Sequence, residues 1–169
     1  RSALTRRAFR ITIGNANMAR ARPYTKVARA EAEERTRVAL LDAVLRANGY
    51  RVGTFTSPHL VDYRERIRID GAMASEASLI AAFERTADAL APDSLTFFEF
   101  NTLAALLIFE TAVPDVMVLE VGLGGRLDSV NVVDPDVAVV VSIGLDHMDW
   151  LGPDLESIGR EKAGIFRAG

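Results

Sequence analysis

Glu120 is the one ionisable side chain in the run Val116–Val121, which is otherwise apolar. A short, nearly unbroken apolar strand is the pattern of a parallel sheet covered on both faces. An ionised carboxylate at its end is costly unless a cation or several donors meet it. Gly122, Gly124 and Gly125 follow at once, so the backbone can turn sharply and approach a ligand closely. Arg126 and Asp128 then add a guanidinium and a second carboxylate. The competing reading is structural: a glycine turn after a strand, with Glu120 paired to Arg126. The spacing is not the dinucleotide fingerprint, whose third glycine would fall at Leu127.

Two further strand ends deliver polar groups. Tyr50–Thr54 reads as a strand that ends in Thr56-Ser57-Pro58-His59, and the all-apolar Val137–Ile143 stops at Gly144 before Leu145-Asp146-His147. In an open parallel sheet, ligands sit beyond the carboxyl ends of the strands. A hydroxyl from Ser57, a carboxylate from Glu120 and an imidazole from His147 suit a divalent cation that also holds phosphate oxygens. Imidazole is commoner on zinc or manganese than on magnesium, so the residues leave the metal's identity open. The plainer reading of His147 is a loop histidine hydrogen-bonded to Asp146 or Asp149. Lys162, one of two lysines, falls near the end of the last predicted helix, where a solvated lysine is the ordinary reading.

The elements that must position these groups alternate. Phe9–Ile13 reads as a half-buried strand stopping at Gly14-Asn15. A helix is expected from about Ala30 to Asn48, with Val38, Leu41 and Leu45 on one face and Gly49 as its stop. Arg64, Arg66 and Arg68 alternate with Glu65, Ile67 and Ile69, which predicts an extended edge segment. A second helix is expected from near Ser75, with Leu79, Phe83, Ala87 and Leu90 on one face. A third follows Thr96, where Thr96 and Glu99 fit a capping box, and runs to about Thr111. The last is placed at Leu155–Ala163. Strands and helices in alternation predict an α/β fold, a mostly parallel sheet flanked by helices.

Composition sets outer bounds. The 169 residues are 49% hydrophobic, enough for a real core. The absence of cysteine excludes disulfides and thiolate metal sites, and two histidines leave any metal mostly oxygen-liganded. No apolar run approaches the ~20 residues of a membrane span, so a soluble, cytoplasmic protein without membrane partners is the expectation. Residues 1–37 hold ten Lys+Arg against three Glu, and residues 38–169 hold ten against twenty Asp+Glu. The basic arm is not read as a nucleic-acid element, because no recognisable module accompanies it and aromatic residues are few.

The blocks TSPHLVDYRERIRI, FFEFNTLAALLIF, EVGLGGRLDSVNVV, SIGLDHMDWLG and SIGREKAGIFR resemble the folylpolyglutamate synthase/dihydrofolate synthase family of the Mur-ligase superfamily. The resemblance runs from about Val38 to Gly169. It implies a central domain of the P-loop, Mur-ligase type, incomplete here, and an ATP-dependent ligase. Such enzymes phosphorylate the carboxylate of a pteroate or folate, and the amine of glutamate attacks the acyl phosphate. It assigns Ser57, Glu120 and His147 to magnesium, and gives Glu120 and His147 a part in catalysis. It makes Lys162 a carbamylated lysine, which requires a neutral amine. Thr96, Phe97, Phe98 and Glu99 would border the pterin pocket, as would Leu127, Asp128 and Ser129. For Thr96 and Glu99 the capping box is compatible with that role and can equally be the whole of it. The implied cofactor set is Mg2+ with ATP as substrate, and the missing C-terminal domain is the expected partner.

One block of the family is not found. Its phosphate loop, a glycine-rich turn with Gly-Lys-Ser, should precede the helix containing Val38. The stretch there, Ala30–Arg37, has no glycine or lysine and three glutamates. The strand leading into that loop is missing or displaced to Phe9–Ile13, and its loss would expose strand edges to aggregation or pairing. Residues 1–37 are therefore set apart as an atypical basic segment, disordered or read from a wrong frame or start, and 38–169 as a partial ATPase domain. A Gly-x-x-Gly-Lys-Ser/Thr in another frame of the coding DNA would support the frame reading. Little or no catalysis is expected from these residues alone. The alternatives are a non-catalytic remnant that binds a pterin or a partner, and a metal-dependent phosphohydrolase on the same sheet.

Overall fold

The computed structural model describes residues 8–14, 25–90 and 92–167, with side chains in the second stretch from Thr36 onward. Its strands are β1 (Phe9–Gly14), β2 (Val52–Phe55), β3 (Ile67–Ile69), β4 (Ala72–Met73), β5 (Val116–Glu120) and β6 (Val137–Val140). They form one sheet in the order β4-β3-β2-β5-β1-β6. β2, β5, β1 and β6 run parallel, and β3 and β4 extend that core antiparallel. The mostly parallel α/β architecture expected from the sequence is the one observed.

β1 stands between β5 and β6, with Ile13 opposite both Glu120 and Val139. The strand expected to be missing or displaced is Phe9–Gly14, and it stands between β5 and β6, so the edges it faces are paired. Helix α1 spans Thr25–Ala47, which makes Ala30–Arg37 helical rather than the counterpart of a phosphate loop. The connection between β1 and α1 is residues 15–24, outside the described residues; its sequence contains neither glycine nor lysine. β1 and the first half of α1 both fall within the basic segment 1–37.

Helices cover the sheet on both faces. On one, Val38 of α1 packs on Ile11, Ile13, Val52, Val116 and Val118, flanked by Leu41 and Leu45. On the other, α2 (Glu76–Leu90) and α3 (Phe97–Ala112) bury Leu79, Ala82, Ala105, Ile108 and Phe109 against Phe55, Ile67 and Leu119. Thr96 caps α3, its hydroxyl accepting from the Glu99 amide while Glu99 accepts from the Thr96 amide. The capping box expected from the sequence is thus formed. α3 ends at Val113, in the left-handed region at φ 50°, just before Pro114. Two short helices close the chain, α4 (Met148–Leu151) and α5 (Leu155–Ala163).

Two local readings are corrected. The alternating segment Arg64–Ile69 is not extended throughout. Tyr63–Arg66 is a 3-10 turn, because Asp62 accepts from the Arg64 amide at 2.9 Å and Glu65 reaches back to the Asp62 amide at 2.9 Å. Local capping by carboxylates outweighs alternation there. The edge itself belongs to β4. The all-apolar run Val137–Ile143 is a strand only to Val140, and Val137 and Val139 are 42% and 41% exposed rather than covered on both faces. Among the described residues β6 has a single strand neighbour. Among the described residues, no helix is long and apolar enough to cross a membrane.

Candidate active site

Glu120 is the last residue of β5 and is only 2% exposed. Parallel pairing with β2 brings the chain after Phe55 alongside it, and the Ser57 amide donates to Glu120 Oε2 at 2.7 Å. A residue 63 positions away thus meets the buried acid at the carboxyl rim. The alternative pairing with Arg126 is not made. Arg126 forks onto Glu161 of α5 with Nε at 3.0 and 3.1 Å from its two carboxylate oxygens, and its amide donates to the Glu161 carbonyl at 2.8 Å.

The glycine loop after β5 is held tightly. Gly124 has φ 69°, a conformation that favours glycine. A Cβ on Gly125 would lie 2.7 Å from the Lys162 carbonyl, so only glycine lets the loop lie against α5. Asp128 Oδ2 accepts from the amides of Gly122 (3.0 Å) and Leu123 (2.9 Å), and Oδ1 from Val130 (2.9 Å). Burial pushes the Asp128 carboxyl above its ordinary range, against the opposing pull of the Leu123, Val130 and Gly122 amides. Asp128 therefore acts first as the staple of this loop. Ser129 shares a 2.7 Å hydroxyl contact with Thr102 of α3, and Leu127 is 79% exposed.

On the α3 side, the Phe98 ring lies 5.7 Å from Phe55 and against Gly122, while Phe97 is 63% exposed. Thr96 donates to Glu99 through both hydroxyl and amide at 2.7 Å, and these bonds hold the Glu99 carboxyl below its ordinary value. The seven residues assigned to a pterin thus fall on two neighbouring segments, the start of α3 and the end of the glycine loop, bridged by Phe98–Gly122 and Thr102–Ser129.

His147 stands on the same rim but beyond β6, with β1 between it and β5. The β5 and β6 strands are themselves two spacings apart, about 9–10 Å. His147 is exposed, adopts φ 47°, and contacts Asp146, with Nε2 3.4 Å from Oδ2 and its amide donating to Oδ1 at 2.8 Å. Of its two candidate partners, Asp146 is the one used. Lys162 on α5 is 3% exposed, which overturns the solvated-lysine reading. Among the described residues, no group of three or more His, Asp or Glu is gathered to hold a metal. The Ser57–Glu120 pair fits a hard cation, being an acid at a strand end beside a hydroxyl-bearing residue. His147 is not gathered with them; its contacts are to Asp146.

Sequence reading missed Arg66 and Asn131. Arg66 is 7% exposed, donates to His59 Nδ1 at 2.8 Å and lies 5.3 Å over the Phe97 ring. Asn131 donates to the carbonyls of Arg126 and Gly164, at 3.0 and 3.1 Å, tying the loop to the end of α5. The alternation around Arg66 does not announce its place over Phe97, and nothing local marks Asn131 as the tie to Gly164, since both contacts span about 30 residues. A cavity of about 410 Å³ lies between β4, α2 and the end of α3, and none of the predicted site residues lines it.

The chain is similar to known proteins in both sequence and fold. A model described as the Mur ligase middle domain matches residues 69–168. The dihydrofolate synthase/folylpolyglutamate synthase of Escherichia coli K12 is 59% identical over 128 residues, covering 76% of this chain and 30% of that protein. The structure of E. coli FolC in complex with ADP superposes with a TM-score of 0.84 at 48% identity, covering 98% of this chain and 37% of that one. A bifunctional folylpolyglutamate synthase/dihydrofolate synthase solved with Mn, AMPPNP and L-glutamate bound gives 0.81 at 46% identity, covering 98% and 37%. The chain spans about a third of the length of these relatives.

Proposed function

This chain belongs to the Mur ligase middle domain family, and on that premise we propose that it is part of an ATP-dependent ligase that joins L-glutamate to dihydropteroate or to a tetrahydrofolate, polyglutamylated or not. The observation that carries the reading is the buried Glu120 at the end of β5, accepting from the Ser57 amide. A carboxylate kept at a strand end out of water has few uses besides meeting a cation or several donors. The relative solved with Mn, AMPPNP and L-glutamate supports Mg2+ and ATP as the matching set.

In this reading Ser57, Glu120 and His147 hold magnesium, and Glu120 and His147 also serve catalysis. Bound there, the ion supplies charge neutralisation and alignment of the transferred phosphoryl group. The chain's own residues prepare the site. Ser57 is fixed by the hydrogen bond its backbone N–H donates to Glu120, and Asp128 and Asn131 immobilise the glycine loop. The buried Lys162, carbamylated, presents a carboxylate in place of an ammonium. Thr96–Glu99 and Leu127–Ser129 form two walls for the pterin, with the exposed Phe97 ring offering a stacking face. Residues 38–169 carry the recognisable part of the ATPase domain, with β1 completing its sheet. The C-terminal domain is the partner for adenine and glutamate contacts, and the enzyme works in the cytoplasm.

The chain on its own is expected to turn over little, because residues 15–24 lack a glycine-rich turn and a lysine for phosphates. That lack also favours the second reading, a pterin- or partner-binding remnant. Calorimetric titration with magnesium-ATP separates the two, since a ligase domain must bind it. Glu120→Ala is expected to abolish magnesium binding measured on the 169-residue chain. Unchanged affinity in that variant overturns the metal assignment.

A further inference from the structure

Arg66 stands where the two halves of the site meet. Its backbone carbonyl accepts from the Thr56 amide at 2.9 Å, one residue before Ser57, so its backbone is pinned to the segment that reaches Glu120. Its side chain points the other way, toward α3. The guanidinium carbon lies 5.3 Å from the centre of the Phe97 ring and 5.9 Å from that of Tyr63, and Nε donates to His59 Nδ1 at 2.8 Å. Only 7% of the residue is exposed, which leaves it almost no surface for a ligand.

The turn that presents Arg66 is closed by its own carboxylates. Glu65 accepts from the amides of Leu60, Val61 and Asp62, and Asp62 accepts from the amide and the guanidinium of Arg64. Tyr63 packs edge-on against Phe83 of α2, with centres 5.7 Å apart, and meets Phe97 at 6.5 Å in the same manner. Phe97 is the open member of this cluster, 63% exposed as the first residue of α3. The two side-chain torsions of an exposed phenylalanine are free to turn unless a neighbour holds the ring. Arg66 is such a neighbour, a desolvated cation over the ring, and the attraction between them is stronger for the exclusion of water.

We propose that Arg66 is a positioning residue for pterin binding: it covers part of the Phe97 ring and holds the rest in the orientation that stacks on the heterocycle. The inference rests on the pterin reading of Thr96–Glu99 and adds to it a residue that touches no substrate. A ring already held in place loses less freedom when the ligand arrives. Because Arg66 is also tied through Thr56 to the Ser57 end, the stacking face is fixed relative to the Glu120 rim and not to α3 alone.

The test is a fluorescence titration of the 169-residue chain with dihydropteroate, in wild type, Arg66→Gln, Arg66→Lys, Phe97→Leu and the double variant Arg66→Gln/Phe97→Leu. Arg66→Gln is expected to weaken binding about fivefold, the ordering cost of one side chain. Arg66→Lys keeps a cation over the ring and should lose no more than about twofold. Phe97→Leu should weaken binding about tenfold, and adding Arg66→Gln to it should change little, since no ring is left to position. A merely structural role would lower affinity by the same factor in both backgrounds; that result, or an Arg66→Gln affinity equal to wild type, overturns the proposal. Ring relaxation measured by NMR on the unliganded wild type decides the matter even if the variants fail to fold. Phe97 should be as ordered as the buried Phe55, and a freely turning Phe97 ring overturns the proposal. No binding of dihydropteroate by the wild type removes the pterin reading and this proposal with it, whereas binding that depends on Phe97 but not on Arg66 removes this proposal alone.

Discussion

Replacing Gly122 by alanine is expected to destabilise the chain by about 1–3 kcal/mol, the usual cost of overpacking. A Cβ there would sit 2.6–2.8 Å from Cζ, Cε1 and Cε2 of Phe98, roughly 1 Å inside the best separation for carbon atoms. Gly122 is not among the glycines with positive φ, so the cost is steric and not conformational. The ring cannot yield freely, because it packs 5.7 Å from Phe55, which is 1% exposed. Urea unfolding of the wild type, Gly122→Ala, Phe98→Leu and the double variant measures the effect. With a slope of about 2 kcal/mol per molar, a 2 kcal/mol loss moves the midpoint by about 1 M. Removing the ring should relieve the clash, so the cycle should show a coupling of about 1–2 kcal/mol. A Gly122→Ala cost under about 0.5 kcal/mol, or the same cost with and without the Phe98 ring, refutes the close-approach argument. It would also show that the glycine loop and the start of α3 are not coupled through Phe98.

Asp128→Asn should cost about 1–3 kcal/mol, since an amide cannot accept at all three backbone N–H groups. Because burial raises the Asp128 pKa, the stability it contributes is fully present below its ordinary value and is lost as pH rises through the raised one. The wild-type advantage over Asp128→Asn should therefore shrink from pH 3.5 to pH 7 in urea midpoints; an advantage that grows contradicts the burial cause. Val113→Asn should stabilise the chain by about 1 kcal/mol, because a β-branched residue at φ 50° pays roughly 1–2 kcal/mol of strain. Val113 is 58% exposed, so little packing is lost, and an unchanged thermal midpoint would show that the strain is absent.

The local elements were largely legible because their signals are local. The capping box at Thr96–Glu99, the helix Leu155–Ala163 and the apolar strand ending at Glu120 each announce themselves within a few residues. At Arg64–Ile69 two local rules compete, and carboxylate capping by Asp62 and Glu65 is stronger than the alternation. α1 starts earlier than its apolar stripe shows, because the stripe of Val38, Leu41 and Leu45 lies in its second half.

The sequence by itself determined that a buried acid ends a parallel strand and that polar residues follow three such ends, since periodicity and glycine placement are written along the chain. Only the tertiary structure decided which of these groups meet. Strand order put Ser57 on Glu120 because β2 is next to β5, and set His147 two strands away because β1 intervenes. Helix packing buried Lys162 and drew Arg126 to Glu161, and the seating of α3 on the sheet laid Phe97 against Arg66. Contacts of that kind depend on strand neighbours and packing faces, which no spacing along the chain encodes.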